Sequence, residues 1–263
     1  MTEAAANASI MQSDNPVRRV VLVLAKAPVA GRAKTRLTPP ATPQGAARIA
    51  AAALLDTLDA AVGVPDARVL VALEGDLDDA ERGDEIRAAL APHTVVRQRG
   101  DALGERIEAV HADAADRFPG AATVQVGMDT PQLDAARLDD ALRTVESGRP
   151  AGIGIAHDGG WWALALRDPR RAAIISPIPT SRDDTGPRTL AALRDALGDD
   201  AVAELATLSD VDTADDAVTV AGLAPDGRFA RAVAENLGGR VDEVDDTDDA
   251  VPAIATLSGG GRP

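Results

Sequence analysis

The stretch VVLVLAKAPVAGRAKTRL, residues 20–37, joins a buried-strand signature to a basic loop. Val20 to Leu24 are β-branched or leucine without interruption, which suits a strand covered on both faces of a parallel sheet. The run then breaks into small residues around Pro28 and Gly31, with Lys26, Arg32, Lys34 and Arg36 spaced among them. The chain as a whole is acidic, with 42 Asp+Glu against 27 Lys+Arg and a formal charge of −15. A cationic cluster at the end of a buried strand therefore needs a local reason. Open α/β sheets bind ligands at the carboxyl ends of their strands, and phosphate is the ligand that needs such a loop. The plain alternative is a solvated basic loop that follows a strand.

The flanking sequence repeats the strand-then-helix pattern. Thr42 to Val62 carries apolar residues at helical spacing, with Thr42 as the cap and Pro43 at the first helical position. Strands are predicted at 67–73, 94–97, 122–126, 152–156, 161–166 and 202–208. Helices are predicted at 77–90, 104–117, 134–145 and 189–197, with another starting near Ala214. This alternation predicts an α/β fold, a mostly parallel sheet flanked by helices on both faces. The strands at 152–156 and 161–166 are joined by His157-Asp158-Gly159-Gly160, whose turn residues predict a hairpin and so a mixed sheet. Strand alternation sends Trp161 and Trp162 to opposite faces. Residues 1–17 are small and polar, and 238–263 are rich in Gly and Asp. They read as a disordered N-terminus and a disordered acidic tail around one domain at 18–237.

Composition narrows the function. Hydrophobic residues make up 45%, enough for a core, yet aromatics are only 2% and Tyr is absent. A base-stacking nucleic-acid surface needs aromatic platforms and positive charge, and this chain has neither in quantity. With no cysteine, disulfides, thiolate zinc sites and thiol nucleophiles are excluded from these 263 residues. His93, His111 and His157 lack the spacing of a helical zinc pair. No apolar stretch reaches the roughly 18 residues of a membrane span, and the first residues lack the charge-then-apolar order of a signal peptide. The expected setting is cytoplasmic.

Three further motifs carry chemistry. Val126-Gly127-Met128-Asp129-Thr130-Pro131 places one carboxylate just past an apolar strand, on the same sheet edge as the cationic loop. A hard carboxylate meeting a bound phosphate suggests a bridging Mg²⁺ or Mn²⁺, whereas an Asx turn would give Asp129 a purely local job. Ser209-Asp210-Val211-Asp212-Thr213 holds two carboxylates at i and i+2, which can complete a metal site or cap the next helix. Gly100-Asp101-Ala102-Leu103-Gly104-Glu105-Arg106 is a loop-to-helix junction that either cradles a nucleobase or is only a capped helix start. Asp158-Gly159-Gly160 allows close backbone approach beside the two Trp residues.

In order, AKAPVAGRAKTRL, QRGDALGERI, GMDTPQL, HDGGWWALAL and SDVDT resemble an uncharacterised bacterial family of the glycosyltransferase-A superfamily. Its members are labelled radical-SAM/selenodomain-associated transferases. The first motif is also similar to the N-terminal loop of 2-phospholactate guanylyltransferases, and molybdenum-cofactor guanylyltransferases share the idea with more glycine. The resemblance spans roughly residues 18–230 and implies the nucleotide-diphospho-sugar transferase fold. It implies Lys34, Asp129 and Asp158 as catalytic residues. By the same resemblance Arg32, Lys34 and Arg36 would meet the phosphates and Asp129 the metal, and Asp158 or the Asp210/Asp212 pair would finish the metal or acceptor side. From the loops themselves, Lys26, Gly31, Asp101, Gly104 and Arg106 are further candidates for binding the nucleotide, and Asp210 and Asp212 for the metal. Departures from the family pattern are Met128-Asp129-Thr130 in place of Ser-Asp-Cys or Thr-Asp-Cys, Trp161-Trp162 in place of Tyr-Tyr, and His157 in place of an acid.

The expected activity is metal-dependent transfer from a nucleotide donor. In nucleotidyl transfer, a small phosphorylated acceptor attacks a nucleoside triphosphate and pyrophosphate leaves. This demands the dense positive charge found at residues 26–36. Glycosyl transfer from a nucleotide-sugar is the alternative, although an Asp-x-Asp pair after the strand is missing. A non-catalytic nucleotide-binding homologue is the third reading. Nucleic acid and a membrane span are not expected among the partners, and the sequence is silent on oligomeric state. The loop cations are expected to face solvent and repel one another until an anion binds.

Overall fold

The computed structural model describes residues 16–180 and 182–238. A seven-stranded mixed sheet is its frame, in the order β3-β2-β1-β4-β6-β5-β7. The strands are β1 (Arg19–Lys26), β2 (Ala67–Glu74), β3 (Thr94–Arg97), β4 (Ala122–Gly127), β5 (Ala151–Ile155), β6 (Trp161–Leu166) and β7 (Val202–Glu204). Strands β1 to β4 run parallel, and β6 runs antiparallel to both β4 and β5. The uninterrupted apolar run of β1 is explained by its place between β2 and β4: residues 20 to 23 are wholly buried. Register pairs Leu24 with both Ala72 and Gly127, so β1, β2 and β4 end side by side.

Helices close both faces. Odd-numbered β1 residues Val21 and Val23 pack against α1 (Pro43–Val62), α2 (Gly83–Leu90) and α4 (Ala135–Glu146). Even-numbered Val20, Leu22 and Leu24 pack against α3 (Leu103–Arg117) and α5 (Thr185–Leu197). A third cluster lies outside α1, where α6 (Ala214–Leu223) and α7 (Arg228–Leu237) cover its alanine-rich second face around the buried Phe229 and Leu37. Alanine there lets the helices approach closely at little entropic cost. Asp56 of α1 caps α7 by accepting from the amides of Arg228 and Phe229 at 3.2 and 2.8 Å.

Several boundaries differ from the sequence expectation. The helix expected at 77–90 begins only at Gly83, because Leu77 to Arg82 form turns and Arg82 sits at a φ of 56°. The strand expected at 202–208 stops at Glu204 and resumes as a single bridge between Leu208 and Ala156. Helix α5 starts at Thr185 rather than residue 189, since Pro187 is tolerated in a first turn that has no intrahelical N–H partner. Helix α7 and a 3-10 segment at Pro169–Ile174 were not expected. The hairpin is present, and its Trp residues diverge. Trp162 is buried and donates from Nε1 to the Ala206 carbonyl at 2.9 Å, whereas Trp161 is half-buried. The segments expected to be disordered lie outside the described residues, apart from positions 16, 17 and 238. No helix among the described residues is long and apolar enough to cross a membrane.

Candidate functional site

At the carboxyl ends of β1, β2 and β4 opens a cavity of about 920 Å³. Strands β1 and β4 are joined at its floor by the Lys26 amide, which donates to the Met128 sulfur at 3.2 Å. This contact gives Met128 a structural role. The loop leaving β1 turns where Val29 O accepts from the amides of Arg32 and Ala33. Gly31 supplies the left-handed φ of 72° that the turn requires, with open space where a side chain would be. Ala33 and Leu37 are buried and anchor the loop, leaving Arg32, Lys34 and Arg36 for the cavity.

Lys34 is the centre of the polar network. Its side chain is only 10% exposed and its ammonium lies 3.1 Å from Asp129 Oδ2 and 3.9 Å from Asp212 Oδ1. The same ammonium donates to the Val211 carbonyl. Arg36 reaches the other Asp212 oxygen at 2.9 Å. The segment 209–213 is held in place by the Val211 amide, which donates to Asp129 O at 3.2 Å. Thr213 and Asp216 form the cap of α6 between them, so Asp212 is left for the cations. Loop cations expected to repel one another in solvent are thus, for Lys34 and Arg36, neutralised by carboxylates. Arg32 and Lys26 line the cavity with no ion-pair partner among the described residues.

Asp210 lies behind this pair. Its Oδ1 accepts from Thr130 Oγ1 at 3.0 Å. Burial, with the nearby charges of Asp129 and Asp158, pushes its carboxyl up to about 7, against the opposing pull of Thr130 and Lys34. Asp158 lines the cavity and uses Oδ1 to accept from the Gly160 amide at 2.8 Å.

On the β2 side the cavity is lined by Glu74, Gln98, Leu103 and Arg106. Arg106 pairs with Glu74 at 2.6 Å and with the Gly100 carbonyl at 3.1 Å. Gln98 gives its amide hydrogens to the carbonyls of Ala25 and Ala72 at 2.8 and 2.9 Å. Gly31, Asp101 and Gly104 do not line the cavity. Gly104 is needed for packing, because a Cβ there would lie 2.4 Å from the Ser176 carbonyl. The Asp101 amide serves a capped helix start, donating to Glu105 Oε2 at 2.8 Å. That junction therefore fits the cap reading better than a nucleobase cradle.

The opposite wall is built by the hairpin turn and the start of α5. Gly186 donates from its amide to Gly159 O at 2.8 Å, and a Cβ on Gly186 would lie 2.3 Å from Gly160 O. A Cβ on Gly159, at φ 85°, would meet Asp183 O at 1.8 Å. This backbone-to-backbone lock brings Asp158, Trp161, Arg182 and Asp183 to one wall. Sequence reasoning found the glycines but missed Arg182 and Asp183, whose only signal was proximity to Gly186.

A divalent cation fits this donor set. Two carboxylates and a backbone carbonyl surround the Lys34 ammonium, and hard oxygen donors of this kind are those that Mg²⁺ and Mn²⁺ accept. Among the described residues no three acidic, His or Cys side chains gather closely enough to hold a metal by themselves. Phosphate oxygens would have to complete the shell.

A solved structure from Desulfovibrio desulfuricans G20, provisionally assigned as a nucleotide-diphospho-sugar transferase, superposes with a TM-score of 0.66. It is 23% identical, and the alignment covers 83% of this chain and 97% of that one. The fold is that of the nucleotide-diphospho-sugar transferases. A cytidylyltransferase from Leptospira borgpetersenii serovar Hardjo-bovis is more distant, at 14% identity, 84% and 98% coverage and a TM-score of 0.49. So is a CMP:2-keto-3-deoxy-manno-octonic acid synthetase complexed with CTP, at 12%, 80% and 99%, and 0.48. Residues 57–182 match a family described as "Uncharacterized protein conserved in bacteria (DUF2064)". That match includes Asp129 and Asp158 and leaves out the cationic loop. No curated protein matches the chain.

Proposed function

We propose that this protein is a metal-dependent transferase with a nucleotide donor, carrying a nucleotidyl group from a nucleoside triphosphate to a small phosphorylated acceptor. One observation carries the reading: Lys34 and Arg36 converge with Asp129 and Asp212 at the ends of β1 and β4, the sheet edge where this fold class takes ligands. Arg32, Lys34 and Arg36 would bind the triphosphate, and Asp129 and Asp212 would hold Mg²⁺ or Mn²⁺ against it. The ion would neutralise phosphate charge; the protein's share is to orient the phosphates and exclude water. Lys26, Gln98 and Arg106 line the side left for the nucleoside. On the far wall Arg182 would meet the acceptor's phosphate, with Asp158 beside the reacting groups.

Glycosyl transfer is the second reading, favoured by Asp158, Asp183 and Trp161 on that same wall. Carboxylates and an indole suit hydroxyls and the apolar face of a ring better than they suit phosphate. The likeness to radical-SAM/selenodomain-associated transferases rests on the five sequence motifs and is compatible with either chemistry. The test is product analysis with Mg²⁺ or Mn²⁺. Pyrophosphate released from a triphosphate only when a phosphorylated acceptor is present supports nucleotidyl transfer. Sugar released from a nucleotide-sugar, with no pyrophosphate from any triphosphate, overturns it in favour of the second reading.

A further inference from the structure

We infer that Lys34 is a resident counter-ion that occupies the metal position until a nucleotide draws it away, so that the protein takes up a divalent cation only together with phosphate. The inference rests on the proposed metal role of Asp129 and Asp212, and concerns how that site is regulated. Three oxygens meet the Lys34 ammonium: Asp129 Oδ2 at 3.1 Å, Asp212 Oδ1 at 3.9 Å and the Val211 carbonyl. All three are hard donors of the kind Mg²⁺ and Mn²⁺ accept. A side chain 90% removed from solvent is not a passing surface contact.

The approach of the ammonium follows from the loop. Ala33 and Leu37 are buried on either side of Lys34, and the Lys34 backbone adopts a left-handed φ of 49° at the start of the 3-10 turn Thr35–Leu37. Left-handed backbone is uncommon for a residue with a side chain, and Lys34 adopts it at the point where its side chain enters the cavity. Its neighbour Arg36 is mostly exposed and touches only the outer oxygen of Asp212.

A divalent ion arriving alone must displace an ammonium already satisfied by the same oxygens, and must do so beside Arg36. A metal–triphosphate presents anionic oxygens to which the ammonium can transfer, leaving both carboxylates to the metal. The exchange moves one side chain between two sets of oxygens, and no covalent bond changes. The device makes empty-site metal binding weak and metal binding with nucleotide strong, with no separate regulatory site.

The test measures Mn²⁺ binding without nucleotide, by calorimetry and by the loss of free Mn²⁺ signal in electron paramagnetic resonance. Lys34→Gln should bind Mn²⁺ at least 10-fold more tightly than wild type, while its affinity for a nucleoside triphosphate falls at least 10-fold. Arg36→Gln controls for the general field and should tighten Mn²⁺ binding by less than 3-fold. Unchanged or weaker Mn²⁺ binding by Lys34→Gln overturns the inference, as does an equal gain in both variants. If Lys34→Gln unfolds for want of its counter-ion, millimolar Mn²⁺ should restore its far-ultraviolet circular dichroism, and failure to do so overturns the inference. A wild-type protein that binds no triphosphate and no nucleotide-sugar would sink the proposed function instead, which leaves the Mn²⁺ comparison standing as a separate result.

Discussion

The two sides of the cavity are built in opposite ways. On the β1 side one contiguous stretch, from the last strand residue Lys26 to Arg36, supplies four cations, and the fold needs only to aim them. On the β6 side the wall comes from two turns more than twenty residues apart in sequence, fastened through Gly159, Gly160 and Gly186. The first side owes its chemistry to charge and the second owes its shape to missing side chains. Substitutions should therefore fail differently on the two sides: loss of binding with the fold intact on one, loss of the fold's local order on the other.

The largest effect is expected at the junction between them. Asp129→Asn should lower metal-dependent turnover by about 100-fold or more, the range in which even the outer supports of a metal site are felt. Its fold should survive, because Lys34 retains Asp212 and Val211 O. Initial rates at saturating nucleotide and a thermal melt check both halves of the statement.

Next comes a matched pair of alanine substitutions. Gly186→Ala drives a Cβ to 2.3 Å from the Gly160 carbonyl, and backbone cannot yield as a flexible side chain does. It should cost about 2–4 kcal/mol by denaturant titration, in the range of overpacked interiors. Gly31→Ala meets no atom within 4 Å and suffers only from its φ of 72°, so its cost should be about 1 kcal/mol. Equal costs at the two positions would erase the distinction between the walls.

A smaller effect concerns pH. In the folded protein the Asp210 carboxyl is raised from 3.8 to about 7. It keeps its proton after the unfolded chain has released it, so folding stability from this group falls as pH rises from about 4 to about 7 and is level above that. Asp210→Asn keeps an acceptor for Thr130 and removes the charge. In metal-free buffer at pH 8 it should raise the melting temperature by about 3 °C, the size of a gain near 1 kcal/mol. At pH 4 the two proteins should melt together. The smallest effect belongs to Arg36→Gln, where both partners are substantially exposed and stability should change by about 0.5 kcal/mol or less.

The same contrast explains what the sequence made legible. Strand β1 and its loop are contiguous, so an apolar run followed by alternating cations announces both a central strand and a ligand edge. The parallel sheet, the hairpin and the divergence of Trp161 and Trp162 were readable for the same reason: each is a pattern of period two or a turn signal within a dozen residues. The Lys34–Asp129–Asp212 cluster was only partly readable. Its members were visible singly, but Asp129 and Asp212 stand 83 positions apart, and local sequence cannot report that their carboxylates share one ammonium. Arg182 and Asp183 were missed because their importance comes from contact with a distant turn. Helix α7 was missed because its apolar face, around Phe229 and Val233, is short and has no side-chain cap of its own; Asp56 of α1 provides one from outside. Gly104 shows the converse: a glycine offered for nucleotide binding is accounted for by packing, since a Cβ there would lie 2.4 Å from the Ser176 carbonyl.

The central claim is that the loop after β1 exists to hold a nucleotide's phosphates. The most direct measurement titrates the four ribonucleoside triphosphates, with Mg²⁺, into wild type and into the triple variant Arg32→Gln/Lys34→Gln/Arg36→Gln, with a melt of each. The account predicts that wild type binds at least one triphosphate, that the variant binds it at least 10-fold more weakly, and that the variant still folds. Undiminished binding by a variant whose stability has dropped would contradict it, because the cations would then be holding the loop and not the ligand.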